Sequence, residues 1–377
     1  MALLALAAPA CSNDSGASDL RAVTAGAQGS KLPRLLPLSR GKTFYVSTRG
    51  SDSNPGTRAR PWRTVQKALD TLRPGQRALV ARGTYSENHT MERAGTPAAP
   101  ITIAAQTRGV VLHAEATRGD TYPIRFTDGA AYVRLTGFVL ERARGTSSTN
   151  VYFEGNAHHI ELSRNEIRYS QDQGIFAERT TRNLHIVGNR IHRNGFGHVS
   201  GQHQSHGIYI EGRNHLIANN VIHDHPHGFG IQVYPGNTGT TIVHNTIVGA
   251  GHSGIVVGGD EGVSGITIRN NVIAFNANYG VQMDSDCPTG RVAIDRNVIH
   301  GNPEGPVQRG CSNVSTAGGN VLSDPRFVSR GARNYRVRSG SPAIDRARGD
   351  YSLRRDFDGR RRPAGAGYDV GAFERAR

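Results

Sequence analysis

From residue 160 onward, apolar and polar positions recur with a period of about two dozen residues. One recurring phrase is Asn-x-Ile or Asn-x-Leu, opening at Asn165, Asn189, Asn220, Asn245, Asn271, Asn297 and Asn320. Successive members are 24, 31, 25, 26, 26 and 23 residues apart. A second phrase is a glycine followed by an alternating strand: GIFAE, GIYIE, GIQVY, GIVVG and GVQMD, opening at Gly174, Gly207, Gly230, Gly254 and Gly280. Two or three short strands per unit at this period predict a parallel β-solenoid. One coil cannot bury its own apolar face, whereas stacked coils share a continuous core. The repeated asparagines are expected at inward turns, each bonding to the next coil as a ladder. A propeller would need longer units of four strands each.

Strand alternation assigns faces. In the Gly-Ile strands, Ile175, Ala177, Ile208, Ile210, Ile231, Val233, Ile255, Val257, Val281 and Met283 are expected to point inward. Outward, Phe176, Tyr209, Gln232, Val256 and Gln282 form one column, and Glu178, Glu211, Tyr234, Gly258 and Asp284 a second. After the Asn-x-Ile phrases the outward positions are Arg168, His192, His223, Val248, Ala274 and His300. Thr64 to Leu72 reads as an amphipathic helix that caps the open first coil, whose strand edges would otherwise invite aggregation.

Composition adds a polarity to this picture. The formal charge is +15, and arginine supplies nearly all of it, with lysine only at Lys31, Lys42 and Lys67. Arg326 to Arg377 alone holds fourteen arginines against six acids. A basic surface points to a polyanionic partner, or to a genome that favours arginine. The start, MALLALAAPACSNDSGASD, resembles the end of a bacterial lipoprotein signal with Cys11 as the lipidated residue. It is too short to span a bilayer. Export follows as the expectation, as an outer-surface lipoprotein or a secreted or periplasmic protein. The chain divides into residues 1–40 (signal-like segment and flexible linker), 41–325 (solenoid with its cap) and 326–377 (an Arg-rich closing segment packed on the helix, expected over the far end). Cys287 and Cys311 stand nearly one coil apart. A disulfide between neighbouring coils would suit an exported protein; two buried thiols are the alternative.

FYVSTRGSDSNPGTRARPWRTVQKAL (residues 44–69), followed by GTYSE, resembles the opening segment of right-handed parallel β-helix proteins of the polysaccharide-lyase-like (pectin lyase-like) superfamily. SPAIDRARGDYSLRRDFDGRRRPAGAGYDVGAFE (residues 341–374) resembles the closing segment of the same superfamily. The resemblance spans nearly the whole chain after residue 40. It implies an all-β single-stranded right-handed parallel β-helix. It leaves activity open, since that superfamily holds lyases, hydrolases, epimerases and adhesins.

Candidate chemistry clusters where the spacing widens to 31. The insertion NGFGHVSGQHQSH brings His198, His203 and His206 toward Tyr209 and Glu211, and the next coil adds His223, His225, His227 and Tyr234. Inserted loops on a solenoid line one face and commonly carry the site. Outward histidines can also be merely solvated, and the HDHPH stretch could ligate a transition metal. Glu178 and Glu211 share a column on adjacent coils, about 4.7–4.9 Å apart at the backbone. Like charges so placed repel, so a shared proton, an arginine or Ca²⁺ must neutralise them. Asp284 and Asp286 form a second acidic spot.

A basic solenoid with this groove fits an enzyme on an acidic polysaccharide. β-Elimination at a uronate needs a carboxylate neutraliser, a base for the C5 proton and an acid for the leaving oxygen. The expected assignment is His206 as base, Tyr209 or Tyr234 as acid, and Glu178 with Glu211 holding Ca²⁺. His223 adds to the catalytic set. His198, His203, His225, His227, Arg168 and Asp284 serve substrate binding. Several β-helix lyase families use lysine as base, and these coils contain none. A glycoside hydrolase with Glu178 and Glu211 as a close carboxylate pair is the alternative. A non-catalytic glycan-binding surface protein is the third reading. Nucleic acid is not an expected partner, membrane contact is expected only through a lipid anchor, and the chain is expected to be a monomer.

Overall fold

The computed structural model describes residues 31–114, 120–145, 148–197, 205–259 and 261–375. Cys11, His198 and His203 lie outside them. Among the described residues, three parallel sheets run the length of a solenoid, one of eleven strands and two of nine. The two phrases read from the sequence form the two nine-stranded sheets. The Asn-x-Ile sheet includes Glu166–Arg168, Arg190–His192, Val221–His223, Thr246–Val248, Val272–Ala274 and Val298–His300. The Gly-Ile sheet includes Ile175–Ala177, Ile208–Ile210, Ile231–Val233, Ile255–Val257 and Tyr279–Met283. The third sheet collects strands such as His185–Val187, Leu216–Ala218 and Thr241–Val243. Each strand pairs in register with its counterpart one coil on, as Ile175 does with Ile208 and Ile208 with Ile231.

The ten inward residues of the Gly-Ile strands are all buried, as alternation requires. The asparagine ladder also forms. Each Oδ1 accepts the backbone N–H of the preceding asparagine: Asn165 to Asn189 at 2.9 Å, Asn189 to Asn220 at 2.8 Å, Asn220 to Asn245 at 2.9 Å and Asn245 to Asn271 at 2.8 Å. Each Nδ2 donates to a carbonyl of the third sheet, as Asn245 does to Ile217 at 2.8 Å. The residue before each asparagine (Arg164, Gly188, Asn219, His244, Asn270, Arg296, Gly319) has φ between 53° and 79°. A non-glycine residue held there costs roughly 1–2 kcal/mol. The ladder fixes the sharp bend by satisfying the buried turn.

A second ladder, not read from the sequence, sits where the Asn-x-Ile strands turn toward the Gly-Ile strands. Asn194 Oδ1 accepts the Ser170 N–H at 3.2 Å, Asn276 the Ala250 N–H at 3.0 Å and Asn302 the Asn276 N–H at 3.0 Å. The opening glycines of the second phrase have a steric origin. A Cβ on Gly207 would lie 2.5 Å from the Gly230 carbonyl oxygen, and one on Gly174 2.5 Å from that of Gly207. The coils approach too closely there for any side chain.

The helix Val65–Thr71 caps the first coil, burying Val65, Ala68 and Leu69, with Thr64 accepting the Lys67 N–H at 3.1 Å. Residues 31–40, expected to be flexible linker, instead pack on the third sheet. Leu32 and Leu35 join Val187, Leu216 and Val243, and the Leu36 N–H donates to Glu161 at 3.1 Å. The closing segment departs from expectation as well. Rather than covering the far end, it runs back along the Asn-x-Ile sheet, where Phe327, Tyr335, Val337, Val370 and Phe373 bury Val248, Val272, Ala274 and Val298. Those apolar outward residues need a cover, and the segment supplies it. Its hairpin is Phe327–Ser329 with Asn334–Val337. Part of its charge is internal: Arg362 lies buried against Glu374 at 3.3 Å, and Arg336 pairs with Asp358 at 2.6 Å. Cys287 and Cys311 are disulfide-bonded across neighbouring coils, Cα to Cα 5.5 Å. No helix among the described residues is long and apolar enough to cross a membrane.

Candidate functional site

The outward face of the Gly-Ile sheet carries a stripe of aromatic rings. Tyr122 stacks on Tyr152 at 5.0 Å, Tyr152 on Phe176 at 5.5 Å, and Phe176 meets Tyr209 at 5.0 Å. Tyr209 then faces Tyr234 edge-on at 6.4 Å. In-register pairing of Tyr152, Phe176 and Tyr209 produces this column. The phrase VYFE at 151–154 has the same alternation as GIFAE, so the stripe starts one coil earlier than the glycine signal suggests.

Beside the rings runs a column of carboxylates, each with its own donor. Glu154 is bound by Arg125 at 2.6 Å. Glu178 accepts from the Tyr152 hydroxyl and from the Gly155 N–H, the latter at 2.7 Å. Asp284 accepts from the Tyr234 hydroxyl. That last contact crosses a coil only because Gly258 stands between; a Cβ there would lie 2.3 Å from the Asp284 Cβ. Glu211 lies within electrostatic reach of the Tyr209 hydroxyl, two residues before it, and of Arg179, which pairs with Glu261. Burial pushes the Glu211 pKa up; the Tyr209 hydroxyl and Arg179 oppose this, and the charges of Glu178 and Glu261 add to it. Burial also raises the Tyr209 pKa, with the Glu211 charge next. The pair is therefore a carboxylate that holds a proton more readily than usual beside a phenol that keeps its own.

Of the expected neutralisers, an arginine is present beside Glu211, whereas Glu178 is met by a tyrosine hydroxyl and a backbone N–H. Among the described residues, no three His, Cys, Asp or Glu side chains converge where a metal ion could sit.

The histidines divide differently from expectation. His206 does reach Tyr209, edge-on at 5.9 Å, but it is only 2% exposed. Its Nδ1 accepts the Phe229 N–H at 3.1 Å, so it packs beneath the groove instead of standing in it. His225 is buried in register with Asn194 and Asn276, its Nδ1 accepting the Asn194 N–H at 3.4 Å. It replaces an asparagine in the second ladder, and burial holds its pKa down to about 3. His223 lies on the Asn-x-Ile sheet, stacked on His192 at 4.8 Å and covered by Tyr335 at 5.3 Å. Burial lowers its pKa despite Asp224 at 3.2 Å. Arg168 belongs to that sheet too, held by Glu141 and Glu166 at 2.8 Å each. His227 is half-buried on the turn next to the Gly-Ile sheet. The structure thus brings together Tyr209, Glu211, Tyr234, Asp284, Glu178 and, from below, His206. It removes His223, His225 and Arg168 from the groove, because the turn residues and the neighbouring sheet face elsewhere. Arg179 was missed: as an exposed arginine in a basic chain it carries no sequence signal.

Residues 44–189 match a family described as Pel9A-like, right handed beta helix region, and residues 149–326 match a right handed beta helix region. The pectate lyase Pel9A superposes with a TM-score of 0.67 at 17% identity, covering 90% of this chain and 97% of that one. The uncharacterized protein YwoF of Bacillus subtilis (strain 168) is 27% identical over 135 residues, 34% of this chain. The aligned part spans 29% of that protein's length. The coil-by-coil geometry and these matches agree on the fold: the chain is a right-handed parallel β-helix, the architecture it shares with the pectate lyase Pel9A.

Proposed function

We propose that the protein is an exported carbohydrate-active enzyme that cleaves an acidic, uronate-containing polysaccharide by β-elimination along the Gly-Ile sheet. The observation that carries this reading is the Tyr209–Glu211 pair, set in an open stripe of aromatic rings beside Arg179. Aromatic faces suit sugar rings, and the strong positive charge of the chain suits a polyanion. Relatives of this fold include a pectate lyase, which supports the same direction.

In this mechanism the Glu211 carboxylate takes the C5 proton, its raised proton affinity making it a competent base. The Tyr209 hydroxyl donates to the glycosidic oxygen as the C4–O bond breaks and the C4–C5 double bond forms. Glu211 then returns its proton to Tyr209, which restores both groups. Arg179 faces the substrate carboxylate, exchanging Glu261 for it. His206 backs the Tyr209 ring and positions it. Tyr234, hydrogen-bonded to Asp284, continues the groove. A calcium ion, if recruited, would draw on Glu178, Glu211 and oxygens of the substrate; it would offset the uronate charge. Export would leave the protein secreted or anchored through Cys11.

One observation favours a second reading. Glu178 raises the proton affinity of Glu211 from a neighbouring coil. At strand spacing of about 4.8 Å this resembles the pair of a retaining glycosidase, whose carboxyl groups stand about 5–5.5 Å apart. Glu211 would then be the acid and Glu178 the nucleophile. Incubation with a panel of polyuronates separates the two. New near-ultraviolet absorbance from a conjugated double bond means elimination, and reducing ends without it mean hydrolysis. Binding with neither product would leave a glycan-binding protein.

A further inference from the structure

At the corner where the Asn-x-Ile strands turn into the Gly-Ile strands lies a cleft of about 550 Å³, lined by Arg142, Ala143, Arg144, Tyr169, Gln171 and Phe196. Its size falls within the range of small-ligand sites. Gln171 stands on the turn that joins the two sheets, four residues before the strand Ile175–Ala177.

Two features define what the cleft would take. The first is a flat apolar face. Phe196 is 52% exposed, among the few large apolar side chains left in solvent, and it stacks on Tyr169 at 6.1 Å. Tyr169 is itself fixed, its hydroxyl accepting from Arg193 at 2.8 Å and its ring flanked by the Arg168 guanidinium at 5.4 Å. The second is unbalanced positive charge. Arg168 takes both Glu141 and Glu166, leaving Arg142 3.7 Å from a carboxylate already claimed. Arg144 and Arg193 have no acidic partner among the described residues. Gln171 spends its Oε1 on the Gly145 N–H at 2.6 Å, so its amino group remains to donate.

We propose that this cleft is a subsite for one carboxylate-bearing sugar residue, its ring against Phe196 and its carboxylate between Arg142 and Arg144. Sugar C–H faces pack on aromatic rings, and guanidinium groups match a planar carboxylate in bidentate fashion. The proposal rests on the acidic-glycan reading above and deepens it, since it gives the polymer a fixed anchoring point on the edge of the Tyr209–Glu211 groove.

The test is isothermal titration of the full chain with a galacturonate hexamer and with its carboxyl-reduced neutral counterpart. Arg142→Gln with Arg144→Gln should weaken the acidic hexamer by about tenfold or more, and Phe196→Ala should weaken both sugars. Arg144→Lys should restore part of the acidic preference, which separates charge from folding. Unchanged affinity in the double arginine variant, or tighter binding of a sulfated oligosaccharide than of the hexamer, would overturn the assignment. If polymer is cleaved with the same KM by the cleft variants, the subsite falls and the chemistry stands. If binding depends on the cleft while no polyuronate is cleaved, the chemistry falls and the subsite stands.

Discussion

At the scale of single residues, the pairing of Tyr209 with Glu211 makes the sharpest demand. Glu211→Gln removes the base, and Tyr209→Phe removes the proton donor while keeping the ring. Each should lower kcat by about 10²–10⁴-fold, with the circular dichroism spectrum unchanged because both side chains face outward. Turnover near the parent rate in both variants would move the chemistry elsewhere on the sheet. His206 leads to a different expectation. Its burial and its bond to the Phe229 N–H mean that His206→Ala strands a buried donor, which costs about 1–3 kcal/mol. A lowered melting midpoint, together with a kcat loss smaller than that of Glu211→Gln, would identify it as a positioning residue. A fully inactive variant with unchanged melting would return it to the catalytic set.

At the scale of elements, the coils are held by turns as much as by strands. Asn245 accepts from Asn220 twice, at 2.9 Å each, and donates to Ile217 and Asn271. Asn245→Ala breaks the ladder at its middle and should lower stability by about 1–3 kcal/mol, measured as a shifted denaturation midpoint. Activity at low temperature should persist, since the ladder lies across the core from the Gly-Ile face. The disulfide closes a loop of 24 residues near the last coil. Its reduction should destabilise the protein by roughly 3 kcal/mol. Hydrogen exchange should show the loss concentrated around residues 281–315; protection there that ignores reductant would count against this role. Both ladders follow one rule, an acceptor stacked every coil, yet only one was readable. The first keeps asparagine at every step, whereas the second interleaves Ser170, His225 and Ala250 and so hides its period.

At the scale of the whole molecule, buried histidines tie stability to pH. Burial holds His185 at about 4 and His215 and His225 at about 3, against an ordinary 6.5. Each folded-state pKa is depressed, so the fold accommodates the neutral ring. Stability is then full above pH 6.5. Below it, the unfolded chain binds protons that the folded chain refuses until pH nears 3 to 4. Stability should therefore fall on acidification by about 1.4 kcal/mol per pH unit for each such histidine. Calorimetric scans should show a midpoint that is level above about pH 6.5 and drops from there to pH 5. A flat profile would mean that these rings take up protons equally in the folded and unfolded chain.

The solenoid, its inward residues, the capping helix, the first ladder and the close pairing of Cys287 with Cys311 were all legible in the chain itself. They depend on local alternation and on a period, and both are one-dimensional properties. What surrounds an outward residue is not. His223 sits at an outward position like any other, yet Tyr335, more than a hundred residues later, covers it. Leu32 and Leu35 read as linker until the third sheet offers them an apolar face. The insertion that drew attention to the histidines places Phe196 at its start, but the cleft also needs Arg142, Arg144 and Tyr169 from two earlier coils. Periodicity determines which residues enter the core; only the path of the closing segment and the stacking of coils decide which of the others meet solvent, substrate or one another.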